Sequence, residues 1–297
     1  FLTTVASDGE VEDAKRGLYF GGNRKKASTD THHWIVYCFD WKSGNMLWEK
    51  TVHIGLPAEP VHIKNTYASE SPVTDGERVF FYFGNLGVFC FDLDGNELWQ
   101  KRLEPVKISY DWGTASSPVL HGNKLFIVND NDEKSYLLAL DAKSGDELFR
   151  IDRDEKSNWA TPYIWENSKR TELVTCGSNK VRSYDLSGNP LWELGRMSSI
   201  TIPSPVEQND LLYVCSGYVG DIKGKPIYAV RPGASGDISP KSEENPGEFI
   251  AWFHQNGGPY NPSPIVYGDY FYVLKDRGHI SCYDARTGEI MYEKQKP

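Results

Sequence analysis

Short apolar runs of four or five residues recur along the whole chain, and polar turns close each of them. Examples are "VFFYF" at 79–83, "LFIV" at 125–128, "LLYVC" at 211–215 and "YFYVL" at 270–274. A Ser/Thr-Pro-apolar triplet stands ahead of each such run: "SPV" at 71, 117 and 204, "TPY" at 161 and "SPI" at 263. A turn such as "TDGER" or "LHGNK" follows the triplet. A second apolar run comes after, as in "IVYCF", "VFCFD" or "YLLAL", then a Gly turn and a last run such as "ELW". This length and punctuation predict four strands of about five residues per unit. No window carries a convincing 3.6-residue apolar period, so helix is expected to be scarce.

The second half of each unit is nearly a repeated phrase. It reads "CFDWKSGNMLWEK" from Cys38, "CFDLDGNELWQK" from Cys90, "ALDAKSGDELFR" from Ala139, "SYDLSGNPLWEL" from Ser183 and "CYDARTGEIMYEK" from Cys282. A degraded copy, "AVRPGASGDI", begins at Ala229 and has Arg231 in place of the Asp. The marker positions 40, 92, 141, 185, 231 and 284 are 44 to 53 residues apart, a period that belongs to solenoids, propellers or arrays. The Asp is expected to accept turn N–H groups, and the Gly to take a positive φ. The run before the turn is apolar at consecutive positions, so its strand should be covered on both faces. Sheets stacked face to face around an axis are propeller blades. Trp48, Trp99, Phe149, Trp192 and Tyr292 then fall on the last strand of each blade, where each is expected to wedge against its neighbour. Such a ring contributes about 4–6 kcal/mol gross.

Aspartate, a small loop, Gly, an apolar pair and Trp ("DWKSGNMLW", "DLDGNELW", "DLSGNPLW") resemble the PQQ-like β-propeller repeat over essentially the whole chain. That superfamily includes quinoprotein alcohol dehydrogenases and the outer-membrane assembly lipoprotein B. The resemblance implies one all-β propeller domain over 1–297, with four-stranded antiparallel blades in an eight-bladed ring and a place outside the cytoplasm, in the periplasm. Six repeats are visible. The first is incomplete, since "FLTTV" at 1–5 reads as a second strand without its "SPV" partner. Either about two blades lie outside this sequence, or the ring is six-bladed with one defective blade. Insertions are expected at about 6–33 and 232–248, the second displacing Trp252.

Charge and chemistry narrow the function. The net charge of −9 disfavours nucleic acid, which needs a positive field; "NRKK" at 23–26 is the only basic cluster. No stretch is long and apolar enough for a membrane-spanning helix. The five cysteines form no CxxC and no metal spacing, and read as free core thiols. Adjacent His32 and His33 would face opposite sides of a strand, and "NDNDE" at 129–133 reads as an exposed loop better than as a calcium site. No common catalytic motif is present. The candidate ligand site is an axial funnel built from residues preceding the Ser/Thr-Pro strands: Lys64, Asn65, Tyr67, Glu70, Asp111, Trp112, Thr114, Lys156, Asn158, Trp159, Ser199, Thr201, Tyr260 and Asn261. The competing reading is that they pack and cap tight loops. The expected function is a non-catalytic scaffold that binds a protein or peptide, without cofactor. The alternative is a PQQ- or sugar-binding oxidoreductase, in which PQQ and calcium would occupy the funnel; Glu70, Asn158 and Asp111 have suitable types for the ion but sit in no matching motif.

Overall fold

A computed structural model describes residues 1–10, 26–221, 224–242 and 245–296. Most of the expected insertion at 6–33, with three of the four residues of "NRKK", lies outside them. The chain divides into two compact units, Phe1–Lys156 and Ser157–Pro297, each with three sheets. Among the described residues the helical content is one 3-10 turn, Ser109–Asp111.

In the first unit, the first sheet holds Leu2–Ser7, His32–Phe39 and Met46–Gly55. The second holds Val73–Thr74, Arg78–Phe83, Gly87–Asp92 and Glu97–Arg102. The third holds Val119–His121, Lys124–Asn129, Tyr136–Asp141 and Glu147–Asp152. The second unit repeats the scheme. Its sheets are Tyr163–Glu166 to Pro190–Leu194, Val206–Gln208 to Ile250–His254, and Ile265–Tyr267 to Ile290–Gln295. Strands joined by hairpins pair antiparallel, as that connection requires. Among the described residues the first sheet holds three strands.

Alternation along each second strand supplies the two-sided core. Val79, Phe81 and Phe83 pack toward the first sheet with Trp34 and Val36, while Phe80 and Tyr82 pack toward the third with Leu125, Ile127 and Leu138. In the second unit, Leu212 and Val214 join the fourth sheet's cluster, and Tyr213 and Cys215 join that of the sixth. Successive residues on one strand thus serve different neighbours, which is why these runs lack polar interruptions.

The repeated phrase now has a mechanical account. The turn aspartates accept backbone N–H bonds, such as Ser43 N to Asp40 at 2.8 Å and Asn96 N to Asp92 at 2.8 Å. Turn hydrogen bonds lower the carboxyl pKa of Asp40, Asp92, Asp141, Asp185 and Asp284; burial opposes them in all five and is the largest single influence on Asp185. All six sheets carry a register shift just before the turn. Opposite it, a small residue faces the aromatic of the last strand: Cys38 pairs Trp48, Cys90 pairs Trp99, Ala139 pairs Phe149, Ser183 pairs Trp192 and Cys282 pairs Tyr292. The indole then reaches the next sheet. Trp48 Nε1 donates to Leu93 O at 2.9 Å and Trp99 Nε1 to Ala142 O at 3.1 Å. Each acceptor is the residue after the next turn's Asp. The ring covers that turn's Gly so closely that a Cβ on Gly145 would lie 2.6 Å from Trp99; Gly145 also has φ +77°. Asp, Gly and Trp recur together because Trp48, Trp99 and Trp252 each dock on the Asp-Gly turn of the next repeat.

The degraded fifth copy tests this account. Without an Asp turn ahead of it, Trp192 donates instead to Glu172 of its own sheet at 2.6 Å. Glu172 is fully buried and also accepts from Ser183 Oγ, Asn167 and Arg170. So the expected wedge of Trp192 on a following turn carbonyl is replaced by a bond within its sheet. Arg231, in the Asp position, donates to the carbonyls of Glu248 and Ile250, clamping the base of the 232–248 insertion. Within that insertion, Gly236–Asp237 adds a parallel fifth strand beside Trp192. The insertion moves Trp252 in sequence only. It pairs Ala229 in the usual register and donates to Ala285 O at 2.9 Å. Phe149 packs on Phe126 of its own sheet, and Tyr292 is half-buried at the matching position.

The "NDNDE" loop corrects one expectation. Asn129, Asp130 and Asn131 are buried rather than exposed; only Asp132 and Glu133 face solvent. The cause is pairing. Arg153, itself buried, grips Asp130 with bonds of 2.8 and 3.1 Å, and Asn131 staples the loop to Lys134 and Ser135.

Candidate binding cleft

The residues preceding the Ser/Thr-Pro strands divide between the units, and in both they are engaged with loop backbone. Asn65 Nδ2 donates to Trp112 O at 2.7 Å and Thr114 O at 3.2 Å, while its Oδ1 accepts from Thr66 N and Ser69 Oγ. Trp112 stacks with Tyr110 at 4.9 Å. Lys64 and Lys156 are exposed. In the second unit, Asn158 Oδ1 accepts from Thr201 N at 2.7 Å, Thr201 Oγ1 donates to Gly177 O, and the Trp159 N–H donates to Thr201 O. Ser199 is bound by Asp221, and Asp276 accepts from the backbone of Tyr260 and Asn261. Tyr260 is buried against Tyr218. These contacts are loop staples of the kind Asn and Ser supply.

The first unit also has a cleft of about 170 Å³ between the first and second sheets. Its walls include Trp34, Tyr67, Phe83, Leu86, Pro57 and Pro105; Glu59, Asn85 and Thr114 supply polar groups. Trp34, His53 and Tyr67 form a connected aromatic group, with Trp34 to His53 at 5.1 Å and Trp34 to Tyr67 at 6.0 Å. A small hollow shares Glu59, Asn85 and Gly113 with the cleft and adds Asp111. Leu56 at the lip is 61% exposed and neighbouring Ile54 57%. Burial pushes the Glu59 carboxyl above its ordinary range and His53 below its own, the latter helped by Arg102. Of the funnel residues expected from sequence, Tyr67, Thr114 and Asp111 border this site. Trp34, His53, Leu56 and Glu59 had not been singled out, although the Pro-bracketed "PAEP" beside an unusually long last strand marks the place.

Glu70 lies behind the cleft, 2% exposed. Its Oε1 accepts from Gly84 N at 3.1 Å and its Oε2 has no protein partner. Burial raises its pKa to about 7. A calcium ion with PQQ does not fit the residues suggested for it. Glu70 is sealed and reluctant to ionise, and Asn158 is spent on Thr201 and Ser178. Among the described residues no three His, Cys, Asp or Glu side chains gather as a metal site.

Stacked antiparallel sheets, four of the six four-stranded, with the indoles of Trp48, Trp99 and Trp252 docked on the next sheet, define a β-propeller fold. The chain belongs to the PQQ_2 family, described as outer membrane protein assembly factor BamB, whose profile matches residues 31–294. Among solved structures it resembles BamB from Moraxella catarrhalis, at 12% identity and TM-score 0.61, over 91% of this chain and 74% of that one. The quinohemoprotein alcohol dehydrogenase ADHIIG from Pseudomonas putida HK5 is similar at 15% identity and TM-score 0.51, over 76% of this chain and 41% of that one. The computationally designed Ika8 protein matches at 10% identity and TM-score 0.53, over 93% and 89% of the two chains. No curated protein sequence matches. Likenesses this distant in sequence establish fold alone.

Proposed function

We propose that this protein is a non-catalytic binding propeller that works outside the cytoplasm and takes an extended segment of a partner protein in the cleft of its first unit. The cleft carries the proposal. It is concave, mostly apolar and aromatic, with few polar groups and an exposed apolar lip, which is the usual make-up of a recognition site. The family description, an assembly factor, agrees with a protein partner. No helix among the described residues is long and apolar enough to cross a membrane.

The test is selection of random displayed dodecapeptides on the immobilised protein, followed by titration of the synthetic winners. Leu56→Glu is expected to weaken them at least about tenfold by charging the lip. Tyr267→Glu, at a 79% exposed position of the second unit, should leave them unchanged. If no selected peptide binds, or Leu56→Glu is silent, the proposal fails.

A further inference from the structure

We infer that the cleft selects a cationic side chain, arginine foremost, in the segment it binds; this rests on the peptide reading above. The walls suit the apolar stem and flat head of such a residue. Trp34 and Tyr67 offer aromatic rings, and a guanidinium stacks on these more readily than the strongly hydrated lysine ammonium does. The end of the site is acidic. Glu59 borders both the cleft and the adjoining hollow, and among the described residues no hydrogen bond or ion pair engages its carboxylate. Burial outweighs the pull of Lys107 on this half-buried carboxylate, with Glu133 and Asp111 adding like charge, so a bound cation beside the aromatic faces would be welcome.

The surrounding charges favour the same ligand. Asp111 faces the hollow from a turn in which Tyr110 and Asp111 both hold positive φ, 60° and 58°. Of the nearby bases, exposed Lys107 stands 4.0 Å from Glu133 and acts on Glu59 through its charge without an ion pair to it, while Arg102 lies over the Phe89 ring at 4.9 Å. His53 is held neutral and does not repel a cation. The chain's net charge of −9 favours approach of a basic segment.

Three small probes separate the possibilities: acetylarginine amide, its neutral isostere acetylcitrulline amide, and acetylnorleucine amide. Each is titrated into the whole protein and followed by amide NMR shifts at His53, Leu56 and Glu59. The arginine probe is expected to bind at least about tenfold tighter than citrulline. Glu59→Gln should erase that difference while leaving norleucine unaffected. Equal binding of arginine and citrulline, or an unchanged ratio in Glu59→Gln, overturns the cation inference. In that event, norleucine binding leaves the apolar-cleft reading standing. If none of the three probes shifts these residues, both readings fall together.

Discussion

At the residue scale, many polar groups in this fold are used to fix turns and seams, and Glu70 is an exception whose cost depends on pH. Its folded pKa of about 7 lies above the ordinary glutamate value of 4.5. Below pH 4.5 the group is protonated in both folded and unfolded states and contributes nothing. Between 4.5 and 7 the unfolded chain ionises while the folded one resists, so stability falls as pH rises, by about 3 kcal/mol in all. Glu70→Gln removes that slope. Chemical denaturation of both proteins should show the variant gaining on the parent from pH 4 to pH 8; parallel stability curves would contradict the assignment. The legibility of such residues is uneven. The turn aspartates could be read from sequence because their task is local and repeated. The environments of Glu70, Glu59 and Asp130 could not, because each is buried or half-buried by residues distant in the chain.

At the element scale, the Ser/Thr-Pro triplet has a purpose that spacing alone does not reveal. The Ser71 N–H donates to Ser117 Oγ at 2.9 Å; in the second unit, Thr161 N donates to Ser204 Oγ at 3.2 Å and Ser204 N to Ser263 Oγ at 3.0 Å. The triplet's hydroxyl thus ties its strand to the preceding repeat, and the Pro that follows starts a strand too short to hold by pairing alone. Ser117→Ala and Ser263→Ala should each lower stability by about 1 kcal/mol in denaturant titrations, the net worth of one such bond. Ser71→Ala should cost much less, since no described N–H reaches its hydroxyl; equal losses at Ser71 and Ser117 would refute the ladder. The strands and turns were readable because apolar runs of fixed length sit between fixed punctuation. The fifth strand at Gly236–Asp237 was not, since two residues carry no pattern.

At the scale of the whole molecule, both units use one device: sheets with no free face where a neighbour stands. The five thiols follow this. All are free and buried; burial pushes Cys90 up to about 12 and Cys215 well above its ordinary value. Thiolate reagents should therefore label almost nothing in the native protein and all five cysteines in guanidinium, at a rate that tracks unfolding. Rapid labelling of Cys90 or Cys215 under native conditions would show that the seams open locally. Sequence disclosed this architecture well and the binding site poorly. Repetition announces a scaffold, whereas the cleft is assembled from Trp34, His53, Leu56 and Glu59, none of which belongs to the repeated phrase.

The direction in which the indoles reach has a consequence for how the chain is made. Trp48 and Trp99 find their acceptors 45 and 43 residues later, and Trp252 finds its own 33 residues later. A nascent chain leaving the ribosome therefore cannot seat any of these rings until most of another repeat has been synthesised. Trp192 looks 20 residues backward, so its indole bond can form as soon as its strand emerges. Of the four indoles, Trp192 is thus the one that need not wait for the next repeat.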